Sequence, residues 1–188
     1  IIWDLSKGNL LYLTDKEEQM SAFTRHIARG KQKVIVLAPK YHNLPEIEGV
    51  TVSVGDAIVE MIDALELRIK EHLDSRQSNH IVSVIIYDMS YLVDELTPEL
   101  LNQLSFIIER GSKVGYGIIM MSSVDLNRRI DVASKAAKTT KQAILGIRIT
   151  DQPIITVTNR PLHEGALQEQ VHYYVDSGIA KQIKVLMF

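Results

Sequence analysis

Short apolar runs alternate with longer amphipathic stretches along most of this chain, which predicts an ordered series of strands and helices. The first run, residues 9–13, reads as a buried strand passing through a short polar turn into an amphipathic helix that ends near Gly30. Residues 33–38 (KVIVLA) read as a second buried strand closed by Pro39, residues 40–49 as loop, and 50–54 (VTVSV) as an alternating strand. Gly55 and Asp56 open a long helix with Ile58, Ile62, Leu65, Ile69 and Leu73 on one stripe, ended by the polar turn 74–79. An apolar-rich strand follows at 81–86. Thr97 is placed as a helix cap before Pro98, with Leu100, Leu101, Leu104, Ile107 and Ile108 as the buried face and Gly111 as the stop.

Beyond that helix the pattern predicts a strand over 113–121, a helix over 125–140 and a strand over 142–150. A turn at Asp151-Gln152-Pro153 precedes a short strand at 154–157, and two strands flank Asp176-Ser177-Gly178 as a hairpin. Strands separated by helices at this spacing predict a three-layer α/β fold with a mainly parallel central sheet and a C-terminal hairpin. At 188 residues the chain can hold one sizeable core, and it is read as a single domain over 1–188.

Two strand ends carry candidate chemistry. A strand–turn–helix junction is where a phosphate-binding loop, G-x-x-x-x-G-K-[ST], would lie. On Thr14 to Ser21 the pattern reads T-D-K-E-E-Q-M-S: Thr14 and Gln19 stand at the glycine positions, Met20 at the lysine, and only the hydroxyl of Ser21 is kept. Asp15 is predicted to cap the helix with Glu18 as its capping-box partner. Asp15, Glu17 and Glu18 then crowd the end of the helix where a triphosphate would sit. A carboxylate about 4 Å from a phosphate costs on the order of 4 kcal/mol at an effective dielectric of ~20, and Lys16 offsets part of one such term. The second strand end, VIIYDM, has Asp88 at the Mg²⁺-directed acid of a hhhhD-E element, while Met89 replaces the glutamate that would polarise water. In both places the frame of a nucleotide site is kept and its reactive groups are gone.

Composition narrows the partners. Hydrophobic content of 46% with 23% charged residues is that of an ordinary globular chain, and a net charge of −2 shows no bias towards nucleic acid or anionic membrane. The absence of cysteine excludes disulfides and Cys-based zinc sites. The six histidines, His26, His42, His72, His80, His163 and His172, show no metal-ligand spacing, so no metal site is expected. No stretch reaches the ~18 apolar residues of a membrane span. The start, IIWDL, lacks an initiator Met and a charged leader, and the chain is expected to be an excerpt of a longer protein. The basic run Arg128, Arg129, Lys135, Lys138 and Lys141 reads as a solvated helix face.

Taken together, KGNLLYL before the altered turn, VIIYDM, ERGSKVGYGIIMMSS and the tail from ILGIRIT to YYVDSGIAKQIKV resemble the FtsK/SpoIIIE family of RecA-like motor domains. The ERGSKVGYGIIMMSS stretch looks like that family's R-x-x-G-I-H-L-x-x-A-T segment. More narrowly, the chain is similar to the C-terminal ATPase-like domain of EssC-type coupling proteins of type VIIb secretion systems. The resemblance implies a RecA-like P-loop NTPase fold in a tandem motor and a cytoplasmic domain of a cell-membrane protein that meets the membrane only through the rest of the protein. It also implies neighbouring ATPase domains and secreted WXG100-type helical-hairpin clients as partners, with no nucleic acid.

Two functional readings stay open at this point. The first is a non-catalytic module for substrate recognition and motor assembly, without cofactor, docking clients through Tyr91, Leu92 and Val93 just beyond Asp88. The second is an atypical ATP-binding domain in which Ser21 and Asp88 hold Mg²⁺.

Overall fold

A computed structural model describes residues 8–30, 33–41, 44, 49–75, 82–168 and 170–185. Most of the loop expected at 40–49, the turn beyond Ser75, His42 and His80 lie outside the described residues. The strands are β1 (Leu10–Leu13), β2 (Lys33–Leu37), β3 (Val50–Ser53), β4 (Val82–Ile86), β5 (Tyr116–Ser122), β6 (Gln142–Leu145), β7 (Val171–Asp176) and β8 (Ile179–Lys184). The helices are α1 (Glu17–Ala28), α2 (Asp56–Ser75), α3 (Met89–Glu95), α4 (Pro98–Arg110) and α5 (Val132–Lys138).

The strands form one sheet in the order β3-β2-β4-β5-β1-β6-β7-β8. Its first six members are parallel, and the β7–β8 hairpin adds two antiparallel strands at one edge, as the pattern predicted. Strand periodicity sorts the apolar side chains onto two faces. Leu11, Leu13, Ile35, Leu37, Val84, Ile86, Ile118 and Met120 face the larger core, covered by α2, α3, α4 and α5. Their neighbours Leu10, Tyr12, Val34, Val36, Ile85, Tyr87, Ile119 and Met121 face the smaller core, where Met20, Phe23 and Ile27 of α1 pack. A sheet buried on both faces explains why its strands read as continuous apolar runs.

Helix α2 buries Ile58, Ile62, Leu65 and Ile69 along the predicted stripe. Helix α4 starts as expected, with the Thr97 hydroxyl accepting from the Leu100 amide at 3.3 Å and Pro98 in the first turn. Its end differs. Gly111 keeps a right-handed helical backbone and leads into a 3-10 turn over Gly111–Val114; Gly115, at φ 89°, takes the left-handed position. Gly111 is required by space, since a Cβ there would lie 2.9 Å from Ile118 Cδ1. The turn also moves the start of β5 from 113 to Tyr116.

Other boundaries were drawn too generously by local pattern. Residues 125–140 split into a 3-10 turn at Val124–Arg128 and α5, capped by Asp131 accepting from the Ser134 amide at 2.8 Å. β6 stops at Leu145 and a 3-10 turn occupies Ile149–Asp151. Residues 154–157 form no strand; the Gln152 side chain instead holds both the amide and the carbonyl of Ile155, at 2.7 and 3.0 Å. Residues 89–95, without a helical reading from sequence, form α3.

Candidate functional site

β5 lies between β1 and β4, so the turns after these two strands flank the end of β5 on one carboxyl edge of the parallel sheet. This is the edge where α/β sheets present ligand sites. Thr14, Asp15 and Lys16 form the entire connection from β1 to α1. A phosphate loop of the G-x-x-x-x-G-K-[ST] type needs its helix to begin near the lysine, whereas α1 already begins at Glu17, three residues before Met20. The amides that would point at phosphate are engaged within the protein. Thr14 donates to the Ser122 carbonyl at 3.0 Å, Lys16 to the Thr14 hydroxyl at 3.2 Å, and Gln19 to the Lys16 carbonyl at 3.1 Å.

Asp15 does not cap α1. The cap position is Lys16, with no side-chain hydrogen bond, and Asp15 reaches sideways to accept from the Val124 amide at 3.3 Å. The capping box expected with Glu18 is therefore absent, because the long-range bond to the β5 exit holds the carboxylate elsewhere. Glu17 and Glu18 do occupy the first turn, where they complement the helix dipole.

Met20 is 3% exposed and packs in the smaller core. Gln19 is buried as well, and its side chain joins a line of polar groups. The Thr14 hydroxyl donates to Gln19 Oε1 at 2.5 Å, and the Tyr12 hydroxyl lies 3.5 Å from the same oxygen and 3.0 Å from Nε2 of His172 on β7. Gly146 closes over this line: a Cβ there would lie 2.7 Å from Gln19 Oε1, 3.0 Å from His172 Nε2 and 3.1 Å from Thr14 Cβ. Burial holds the His172 imidazole below its usual pKa, favouring the neutral ring; the Gln170 backbone opposes this and Lys16 adds to it. Burial likewise pushes the Tyr12 phenol up, keeping it a donor. Sequence periodicity had no signal for this line, since Tyr12 and His172 are 160 positions apart.

The turn after β4 is different in kind. Asp88 sits at φ 45°, ψ 60°, a left-handed backbone that few residues other than glycine adopt, and is 8% exposed. Its carboxylate accepts from the Ser90 hydroxyl at 3.0 Å. Ser90 also donates its amide to the Ser122 hydroxyl at 3.2 Å and shares a hydrogen bond with the Ser123 hydroxyl at 3.2 Å. Met89, at the place of the water-polarising acid, is fully buried in the larger core. Tyr87, just before Asp88, reaches across to the Glu17 carbonyl at 3.4 Å and so ties this turn to α1. Ser21 faces along α1, accepting from Arg25 at 3.1 Å. No group of three metal-ligating side chains occurs among the described residues.

The proposed docking trio is divided by the fold. Tyr91 is 61% exposed on α3, but Leu92 and Val93 are buried in the larger core, because successive helix positions turn by about 100° and the inward face of this short helix takes 92 and 93 while 91 falls outside it. Arg129 forms a bidentate ion pair with Asp94, one turn beyond Tyr91. That pair ties to α3 the segment carrying Ile130, which is 81% exposed.

No protein-family model matches the chain, and no curated protein matches it. Solved structures do. EssC ATPases 2 and 3 from Geobacillus thermodenitrificans align with a TM-score of 0.82 over 96% of this chain and 37% of theirs, at 12% identity. The cytoplasmic domain of EssC aligns with a TM-score of 0.74 over 94% of this chain and 39% of that one, also at 12% identity. The fold is that of the EssC and EccC ATPase domains. Thermomonospora curvata EccC ATPases 2 and 3, solved in complex with a signal sequence peptide, give 0.70 over the whole of this chain and 38% of that one, at 16% identity. The chain thus spans well under half the length of these EssC and EccC chains, and the likeness is one of fold. No described helix is long and apolar enough to cross a membrane.

Proposed function

We propose that this domain is a non-catalytic recognition and assembly module of a type VII protein secretion motor. One observation carries the reading: a three-residue turn backed by the buried side chains of Thr14, Gln19 and Met20 stands where an ATPase of this fold would hold phosphate. The module works in a tandem with neighbouring ATPase domains, on the cytoplasmic side of a membrane that it meets only through the rest of its protein. Its clients are small helical-hairpin proteins of the WXG100 type. The signal-peptide complex of T. curvata EccC supports a recognition role for this fold. Docking uses Tyr91 in place of the buried Leu92 and Val93.

Calorimetric titration of ATP–Mg²⁺ tests the non-catalytic part. No binding is expected, and a Kd at or below about 1 mM, roughly −4 kcal/mol, would overturn it. Gln19→Gly with Met20→Lys is not expected to restore binding, since the turn stays short and Asp15, Glu17 and Glu18 remain. Titration with a client protein tests recognition: Tyr91→Ala should weaken binding in a domain whose melting is unchanged, and wild type that fails to bind would reject the role. The alternative, an atypical ATP-binding domain, draws on Asp88 being held at the correct strand end, and the same calorimetry decides between them.

A further inference from the structure

β8 ends the sheet on the side away from β3, so its outer edge is where a further strand would pair. In the β7–β8 ladder Ala180 stands opposite Val175, Gln182 opposite Tyr173 and Lys184 opposite Val171. Antiparallel pairs alternate between those that exchange hydrogen bonds and those whose backbone groups point outwards. Two observations fix which are which. The Val185 amide, one position past Lys184, bonds inwards to the Gln170 carbonyl at 3.0 Å, and both backbone groups of Ala180 bond outside the ladder. Ala180, Gln182 and Lys184 therefore turn their amides and carbonyls to the outer edge.

A segment that forms no strand occupies part of that edge. Residues 155–158 alternate between buried and exposed, with Ile155 and Val157 in the larger core. The Gln152 side chain clasps Ile155 at its start, and Glu164, accepting from the Ile149 and Thr150 amides at 2.7 and 2.9 Å, ties down its return. Between these anchors the chain rounds β8. Thr158 donates its amide and its hydroxyl to the Gly178 carbonyl, at 2.8 and 3.0 Å. The Asn159 side chain meets Ala180 with both of its ends: Nδ2 donates to the carbonyl and Oδ1 accepts from the amide, each at 2.8 Å. A side-chain amide offers the donor and acceptor of a peptide group, so the contact reproduces a rung of a ladder without continuing it. Pro161 follows shortly and brings no amide to the edge. Beyond the Asn159 contact only Gln182 and Lys184, both exposed, still face outwards along β8.

We propose that Asn159 is an edge guard, closing the outer edge of β8 to a second copy of this chain. The strand is self-complementary once Ala180 is free. Laid antiparallel on its own copy about Gln182, it matches Ala180 with Lys184 and Gln182 with Gln182, so each outward backbone group finds a partner. The same register sets Lys181 opposite Ile183, and no lysine stands directly opposite a lysine. With Asn159 in place that register is blocked at Ala180. What remains, Gln182 and Lys184, is shorter than the ~3 residues of the shortest strands. The exposed lysines at both ends of this remnant keep it solvated. The inference does not rest on the nucleotide-site reading or on Tyr91.

Amide hydrogen exchange of the wild-type chain, resolved by NMR, tests the contact without any variant. Ala180 should be protected like its inward-bonded neighbours Lys181 and Ile183, whereas Gln182 should exchange about tenfold faster or more. An Ala180 amide that exchanges as fast as that of Gln182 would overturn the proposal. Sedimentation velocity tests the consequence. Wild type should stay monomeric from about 5 to about 200 µM, and Asn159→Ala should shift towards a dimer over the same range, with Lys181 and Ile183 still protected. Adding Gln182→Pro removes an outward amide, leaves the bonds to β7 in place and should restore the monomer. A wild type that dimerises, an Asn159→Ala variant that stays monomeric, or a dimer that persists in the double variant would each overturn the proposal.

Discussion

The turns after β1 and β4 lie on the same edge of one sheet, yet they differ from the G-x-x-x-x-G-K-[ST] and hhhhD-E patterns in opposite ways. After β1 the difference is in the backbone: the connection is three residues long, α1 starts at Glu17, and Thr14, Gln19, Tyr12 and His172 bond to one another behind it. After β4 the difference is in one side chain: Asp88 is left-handed with its carboxylate held by Ser90, while Met89, at the glutamate position of the pattern, lies in the core. A turn whose neighbours are buried polar groups must pair them with one another, because buried polar groups left without partners are costly. A turn that only presents one side chain depends on its own backbone and places little demand on the residue beside it.

The largest test of that contrast is Met20→Lys. Placing an ammonium in the apolar core under α1 should destabilise the domain by about 3 kcal/mol or more, read by urea unfolding. A neutral result would mean that the lysine reaches solvent and that the turn is not filled as described. Next is Tyr12→Phe, which removes the hydroxyl between Gln19 and His172 and strands a buried ring nitrogen. A loss of about 2 kcal/mol is expected, and no loss would detach the polar line from the stability of the turn.

At the second turn the effects should be smaller. Asp88→Gly relieves the left-handed backbone that Asp88→Ala would leave strained, so the glycine variant should be more stable than the alanine variant by about 1 kcal/mol. If alanine were the more stable, the retained geometry would not be a strained one. The smallest effect concerns pH. The folded His172 titrates below its ordinary value of 6.5, so the unfolded chain takes up the proton first as the solution is acidified. Stability contributed by the neutral ring is complete above about pH 6.5, declines as pH falls through the window down to the lowered folded value, and then levels off. His172→Asn should flatten that part of the profile, and an unchanged slope would show that other groups set it.

Much of the architecture was legible because it rests on local periodicity. The α2 stripe, the Thr97–Pro98 start of α4 and the terminal hairpin all depend on neighbours within a few positions. The candidate site was legible only as substituted letters, Thr14, Gln19, Met20, Asp88 and Met89, at the ends of the correct two strands. Asp15 misled because capping preference is local, whereas its observed partner is Val124, 109 positions away. Leu92 and Val93 misled because an apolar run after a strand does not say which of its members a short helix will turn inward.

By itself, then, the chain determined an α/β sheet with apolar strands buried on both faces, since strand alternation and helix stripes are written in neighbouring residues. It also determined that glycine and lysine are missing at one strand end and a glutamate at another. The tertiary structure alone decided where α1 begins, which of the residues around Asp88 reach solvent, and that Gly146 and His172 close over the first turn. Those outcomes depend on contacts between segments far apart in sequence, and such contacts acquire an energy only once the sheet has brought the segments together.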